Sequence, residues 1–345
     1  KRNLIFYLVL LINMKRKPST QNLSWSNSRT TLLEYCQKKY FLNYYTFALK
    51  PLNIPLRKAT LTLKKLKSID MRMGEKTHFL ISDYLHQLKR GPLSPETLMQ
   101  LKKNIAQEMR QQFELSKERN YQDFPFAQEE GLSEHYYGQD IDDLLEPTIQ
   151  RVWENLDAFI WSPRHERILN ILATPHDAIY IEEPRKPDFN AMRVQTERLD
   201  ALRHVNIMAA PDFWVVFQDN KYLILDRKSG RISDETRTPE DLTDQLKVYA
   251  LKLLLKLNDS SELWNINIEA YEIYLPSMQS FWGRVKQSDI DAIVEKIKED
   301  TDFQKTFFIS DNVLFPSSYF RRTTTLSKCE KCTFREVCEK LKQFE

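Results

Sequence analysis

The sequence predicts an α/β fold on three observations. Helical spacing of apolar residues prevails to about residue 175. From Ala178 the pattern changes to short runs rich in β-branched and aromatic residues. An amphipathic helix from Asp241 to Leu255 then lies between strands, the order expected of helices packed on a sheet.

In chain order, Leu23 to Ser28 offers hydroxyl and amide caps for a helix through Leu32, Leu33, Cys36, Tyr40 and Tyr44. Cys36 and Tyr40 would share a face at i, i+4. A second helix covers Met73 to Leu85, with His78 in its first turn. Ser94 and Pro95 supply an N-cap and a first-turn proline for a charged helix to about Arg119. Helices near 140–162 and 163–173 follow. Strands are expected at Ile179–Glu182, Met192–Leu199, in a hairpin over residues 211–230, and near Ile266–Leu275 and Trp282–Val285. A polar loop spans Ser233 to Pro239, and a helix near Asp289–Glu299 precedes the tail. The expected organisation is a single domain over 23–345. It has a helical region at about 74–175, a sheet with its helices at about 178–300, and a tail at about 320–345 closing on Cys36.

With 345 residues, 41% hydrophobic and 29% charged, the chain has the composition of a folded protein and not of a disordered one. A net charge of +3 means that a nucleic-acid surface would be a local groove and not a global field. No GxxxxGK[ST] sequence occurs, which excludes a P-loop motor. Leu4 to Ile12 is apolar but too short to span a bilayer, and no small-residue cleavage site follows it. Residues 1–22 are therefore expected to be a disordered or artefactual extension with Met14 as the natural start, a short signal peptide being the alternative. No membrane partner and a cytoplasmic location are expected.

The hairpin carries the chemistry. Pro211 to Phe217 and Lys221 to Gly230 flank Gln218-Asp219-Asn220. Period 2 puts Asp226 and Lys228 on one face. A two-residue turn would pair Asp212 with Arg227. A three-residue loop would instead set Asp212 opposite Asp226, with Cβ atoms about 4.5–5.5 Å apart, close enough for both to hold one divalent cation. The three-residue loop is the expected register. An ordinary hairpin with charged ends is the competing reading.

Cys329, Cys332 and Cys338 form C-x2-C-x5-C, and Cys36 lies far upstream. The short CxxC spacing is that of metal ligands, and four cysteines in so long a chain do not read as a disulfide framework. Three local thiolates and one remote one make a four-thiolate site for zinc or an iron–sulfur cluster, which spacing does not separate.

Together these elements resemble the PD-(D/E)XK nuclease superfamily. The similarity is greatest to the RecB-like exonucleases with a four-cysteine iron–sulfur cluster, the group of the AddB nuclease domain and the CRISPR-associated exonucleases. Pro211-Asp212 is similar to the PD element, and Asp226-Arg227-Lys228 to (D/E)xK. Gln245 to Tyr249 is similar to the QxxxY helix, and Gly74 to His78 to the helix that supplies a metal-binding histidine. Cys36 with the C-x2-C-x5-C tail matches the split cluster pattern.

The resemblance implies a restriction-endonuclease-like core, a central mixed β-sheet flanked by helices. It also implies a metal-dependent DNA exonuclease acting on single-stranded ends. Asp212, Asp226, His78 and the Arg227 carbonyl would hold Mg or Mn, which neutralise phosphate charge and make a hydroxide near neutral pH. Lys228 would orient the attacking water and stabilise developing charge. Gln245 would hold that lysine or the phosphate, and Tyr249 would pack or contact the strand. The Arg227 side chain has no expected role; Glu182 and Glu183 could supply a further carboxylate, but nothing in the sequence fixes their geometry. At Cys36, Cys329, Cys332 and Cys338 the resemblance favours a 4Fe-4S cluster over zinc. A motor would have to be a separate helicase, and the pathway, DNA repair or CRISPR adaptation among others, is left open. The competing functions are a catalytically silent nuclease-fold subunit that binds DNA, and a zinc-stapled interaction protein.

Overall fold

A computed structural model describes residue 20 and residues 23–340, apart from 46–53, 120, 122–130, 174–175, several positions between 184 and 198, 219, 231, 233–237, 239, 258–266 and 276. The expected N-terminal extension lies outside the described residues except for Thr20. So do Asp219 and most of the polar loop at 233–239.

The chain opens with β1 (Leu23–Trp25), α1 (Asn27–Tyr35), α2 (Gln37–Tyr44) and α3 (Ile54–Lys65). A helical layer follows: α4 (Ile69–Leu88), α5 (Pro95–Lys117), the short α6 (Ser133–Tyr136), α7 (Leu145–Ile160) and α8 (Pro163–Ala173). The sheet region holds β2 (His176–Ile181), β3 (Val205–Ile207), β4 (Phe213–Phe217), β5 (Lys221–Lys228), α9 (Asp244–Leu257), β6 (Asn267–Tyr274), β7 (Gln279–Arg284) and α10 (Gln287–Lys305). The tail carries β8 (Phe308–Ser310), β9 (Val313–Leu314), α11 (Leu326–Glu330) and α12 (Arg335–Lys340).

The central sheet has the order β2-β4-β5-β6-β7. β5 and β6 run parallel, and the other neighbours are antiparallel. A parallel pair needs a crossover, and α9 supplies it. This is the mixed sheet flanked by helices of a restriction-endonuclease-like core. Alternation divides its side chains between two layers. Phe213, Val215, Leu223, Leu225 and Ile273 pack under α4, α5 and α7. Val216, Tyr222, Ile224, Ile268 and Ala270 pack under α9 and α10. β5 is buried on both faces from Tyr222 to Arg227, as a central strand must be.

A third core joins the two ends of the chain. Tyr40, Phe41, Phe307, Phe320 and Phe334 are almost fully buried together, and the Phe41 and Phe320 rings lie 4.6 Å apart. The Trp25 indole N–H donates to Asp300 at 2.8 Å, which ties β1 to α10. Among the described residues no helix is long and apolar enough to cross a membrane.

Three expectations are corrected. The expected helix through Cys36 is two helices, because Cys36 is extended (φ −169°, ψ 112°) and caps both. Cys36 and Tyr40 thus share no helical face. His78 lies in the third turn of α4, because Ser68 and not a later residue caps that helix. The expected strand at 192–199 is absent among its described residues. Only Arg193 pairs, in a single bridge to Met208, although Val194 and Thr196 are buried. The bridge is made by the Val194 N–H to the Ile207 carbonyl and the Ala209 N–H to the Met192 carbonyl, and further on the Leu199 N–H turns back to the Thr196 carbonyl, which bends the chain out of a ladder.

Candidate active site

The hairpin register brings the site together. Phe213 pairs with Leu225 and Val216 with Tyr222, which leaves a connection of Gln218, Asp219 and Asn220. Asn220 takes a positive φ of 52°, a conformation asparagine tolerates well. Carried one residue further, this register sets Asp212 opposite Asp226. Pro211 has no N–H to offer the Arg227 carbonyl, so the ladder does not continue there. The Arg227 N–H donates to the Asp212 carboxylate at 2.6 Å. In an antiparallel ladder a residue's N–H and C=O face the same neighbour, so the Arg227 carbonyl faces the Asp212 side as well.

The neighbouring strands extend this into a row of acids. Ile181 pairs with Phe213, and the Glu182 N–H donates to the Asp212 carbonyl at 2.9 Å, which sets Glu182 beside Asp212. Asp226 pairs with Glu272 on β6. Glu182, Asp212, Asp226 and Glu272 thus occupy one line across four adjacent strands. Three of them, Asp212, Asp226 and Glu272, are at most 4% exposed.

Helix α4 adds His78, whose Nδ1 is 3.2 Å from Asp212 Oδ1. One ligand atom from each of His78, Glu182 and Asp212 lies within 4.8 Å of the others. Two carboxylate oxygens and an imidazole nitrogen fit Mg or Mn. Gly74, one turn earlier, lets α4 approach the end of β5. A Cβ there would stand 2.8 Å from the Ser229 hydroxyl.

Helix α9 closes the other side. Lys228 Nζ is 2.7 Å from Asp226 Oδ2 and also donates to the Gln245 side-chain oxygen. The Gln245 amide nitrogen donates to Asp226 at 3.1 Å and to the Tyr249 hydroxyl at 2.6 Å. Tyr249 is 6% exposed, so it braces the site from within. His78, Glu182, Asp212, Asp226, Lys228 and Gln245 line one open cavity of about 440 Å³.

Burial alone would raise the Asp212 carboxyl. His78 and Arg227 beside it hold it well below the usual carboxylate range. Burial, and then the charge of Asp212, push Asp226 up to about 6 and Glu182 up to about 7. Burial opposes a proton on His78, but Asp212 raises its pKa above the ordinary value. Lys228 is likewise raised by Asp226 against burial, so it is an ammonium. Carboxylates buried this close together raise one another's proton affinity, the arrangement that an added cation would relieve.

The sequence from residue 24 to 339 matches the family model of the PD-(D/E)XK nuclease superfamily. The chain belongs to that superfamily. Membership of the PD-(D/E)XK nucleases implies hydrolysis of phosphodiester bonds with DNA as substrate, and Mg or Mn as the metal. Comparison with curated proteins gives no match.

In this PD-(D/E)XK superfamily member His78, Asp212, Asp226, Arg227, Lys228, Gln245 and Tyr249, all expected from the sequence, line one cavity. Glu182, a candidate further carboxylate in the sequence, gained a fixed geometry only when β2 paired with β4. Two further features escaped sequence reasoning. Glu272 lies in a run, Asn267 to Tyr274, that also holds Glu269, so the sequence does not single it out. The Arg227 side chain is 1% exposed, with Nε 3.3 Å from Asp212, and its two terminal nitrogens have no hydrogen-bond partner.

The four cysteines line a second cavity with Tyr35, Lys39, Arg322, Lys328 and Arg335. The break at Cys36 turns its thiol out of the helix path, where Sγ accepts the Lys39 N–H at 3.5 Å. The Lys38 N–H donates to the Arg321 carbonyl, which docks the tail on α2. Burial raises the Cys332 and Cys338 thiols. Tetrahedral zinc, about 2.3 Å from each sulfur, would draw the sulfurs to about 3.8 Å from one another. Among the described residues, the set whose ligand atoms all lie within 4.8 Å is His78, Glu182 and Asp212, and no cysteine set joins it.

Proposed function

We propose that the protein is a metal-dependent DNA exonuclease that hydrolyses phosphodiester bonds at single-stranded ends and carries a structural 4Fe-4S cluster. The observation that carries the nuclease reading is the hairpin register, which sets Asp212 beside Asp226 with Lys228 held over the same cavity. His78, Glu182, Asp212, Asp226 and the Arg227 carbonyl would hold Mg or Mn. When bound, such an ion supplies charge for the phosphate and lowers the pKa of a water molecule. The protein's own residues do the rest. Asp212 stays ionised, and Arg227 and His78 fix both of its oxygens. Lys228 offers a fixed ammonium to the attacking water and to the charge that develops on the phosphate. Gln245 limits the motion of that ammonium by accepting from it while donating to Asp226.

The exonuclease mode and the preference for single strands rest on the split one-plus-three cysteine pattern shared with RecB-like nucleases. The cluster reading rests on the same pattern and is supported by one feature of the cysteine cavity: Lys39, Arg322, Lys328 and Arg335 would offset the negative charge of a thiolate-bound cluster.

End-labelled linear single strands, duplexes and circular single strands, incubated with Mn or Mg, separate these claims. The expected result is loss of linear single strands, intact circles, and no cleavage by Asp226→Ala. Cleavage of circles at the rate of linear strands would overturn the exonuclease mode. Equal cleavage by wild type and Asp226→Ala would overturn the assignment of the site.

A further inference from the structure

β2 is an edge strand, and among the described residues no strand pairs beyond it. Two residues before Glu182, on the same face, is Tyr180. Tyr180 pairs across the ladder with Trp214, two residues beyond Asp212. Their rings are stacked, with centroids 5.7 Å apart and planes within 20°. Both side chains are half-buried, where a core pair would be enclosed.

Helix α9 runs beside this pair. Gln245, Tyr249, Lys252 and Lys256 follow at i, i+4, i+7 and i+11, a single stripe leading away from the active site. Lys256 is exposed, with Nζ 4.9 Å from the centre of the Trp214 ring. Lys252 donates to the Ala209 carbonyl at 2.6 Å, three residues before Asp212. The aromatic pair is therefore one side-chain row from the carboxylates, about 6.6 Å along the strands. That is the reach of one nucleotide.

We propose that Tyr180 and Trp214 form the stacking platform for the base next to the scissile phosphate, with Lys252 and Lys256 facing the backbone of the same strand. The ligand class is single-stranded nucleic acid, bound without regard to sequence. A base can lie on a side chain only after leaving its duplex stack, and every base offers a ring face. Among the described residues no strand lies beyond Tyr180, and the two lysines match the charge of a phosphate backbone. This deepens the nuclease reading and rests on it.

The test compares anisotropy of a labelled oligodeoxythymidine with that of an abasic strand of equal length, in EDTA so that nothing is cut. Hydrolysis in Mn is followed separately. Wild type is expected to prefer the strand with bases. Tyr180→Ala should reduce that preference by about tenfold, the weight of one base–aromatic stack, and Tyr180→Phe should keep it. Circular dichroism establishes that each variant is folded. A folded Tyr180→Ala with the preference of wild type, or a wild type with no preference, overturns the platform while leaving nuclease activity standing. A wild type that neither binds nor hydrolyses DNA overturns the nuclease reading itself.

Discussion

Asp212 accepts the Arg227 N–H on one oxygen and faces His78 with the other, at the point where Pro211 has no N–H to offer the Arg227 carbonyl. A proline before the acid thus has a physical purpose, since it ends the ladder where a carboxylate must turn into the site. Gly74 serves the same end from α4. Gly74→Ala is expected to change stability by less than about 1 kcal/mol, because gained helix propensity offsets the crowding of Ser229. It should nevertheless lower activity by moving His78 relative to Asp212. Melting temperature and turnover, measured side by side, check both halves. Gln245→Ala removes an acceptor from Lys228 and a donor from Asp226. It should slow hydrolysis by about tenfold or more at saturating DNA, and an unchanged rate would count against the brace.

At the scale of elements, what the sequence made legible depended on how local the cause was. The hairpin, α9 and the long charged helix α5 were readable because turn residues, caps and period act within a few positions. The register was readable too, because the connection length sets it. The row of four acids was not, because Glu182 and Glu272 acquire meaning only when β2 and β6 pair with strands distant in sequence. The split of the N-terminal helix at Cys36 was hidden for a similar reason. A cysteine there fits a helix, and only the docked tail shows why the chain breaks. The helical layer makes a pH prediction of its own. The Tyr84 hydroxyl is 2.6 Å from His165 Nε2, and burial holds the His165 pKa below its ordinary value. A depressed histidine favours the fold while neutral, so its contribution is full above about pH 6.5 and is lost as pH falls through the lower folded-state value. His165→Gln should therefore flatten the dependence of melting temperature on pH between about 7 and 5. A dependence identical to that of wild type would show that His165 is not its source.

For the whole molecule, the cysteine cavity and the aromatic core around Phe41 and Phe320 join the two ends of the chain. A metal group that closes so long a loop contributes its binding energy to folding. Cys338→Ala is expected to remove the brown absorbance near about 400 nm that a thiolate-bound cluster would give and to lower the melting temperature. Unchanged colour and melting would contradict the cluster, and zinc without sulfide in anaerobically purified protein would replace it. The central claim concerns the other site, where one ammonium faces a row of carboxylates. The measurement that reaches it most directly is the single-turnover rate of strand hydrolysis in saturating Mn for wild type and Lys228→Ala. The loss of one preorganised charge at the reacting phosphate predicts a fall of about 10² to 10³. A variant that cuts within about twofold of wild type would contradict the role of Lys228 and the mechanism built around it.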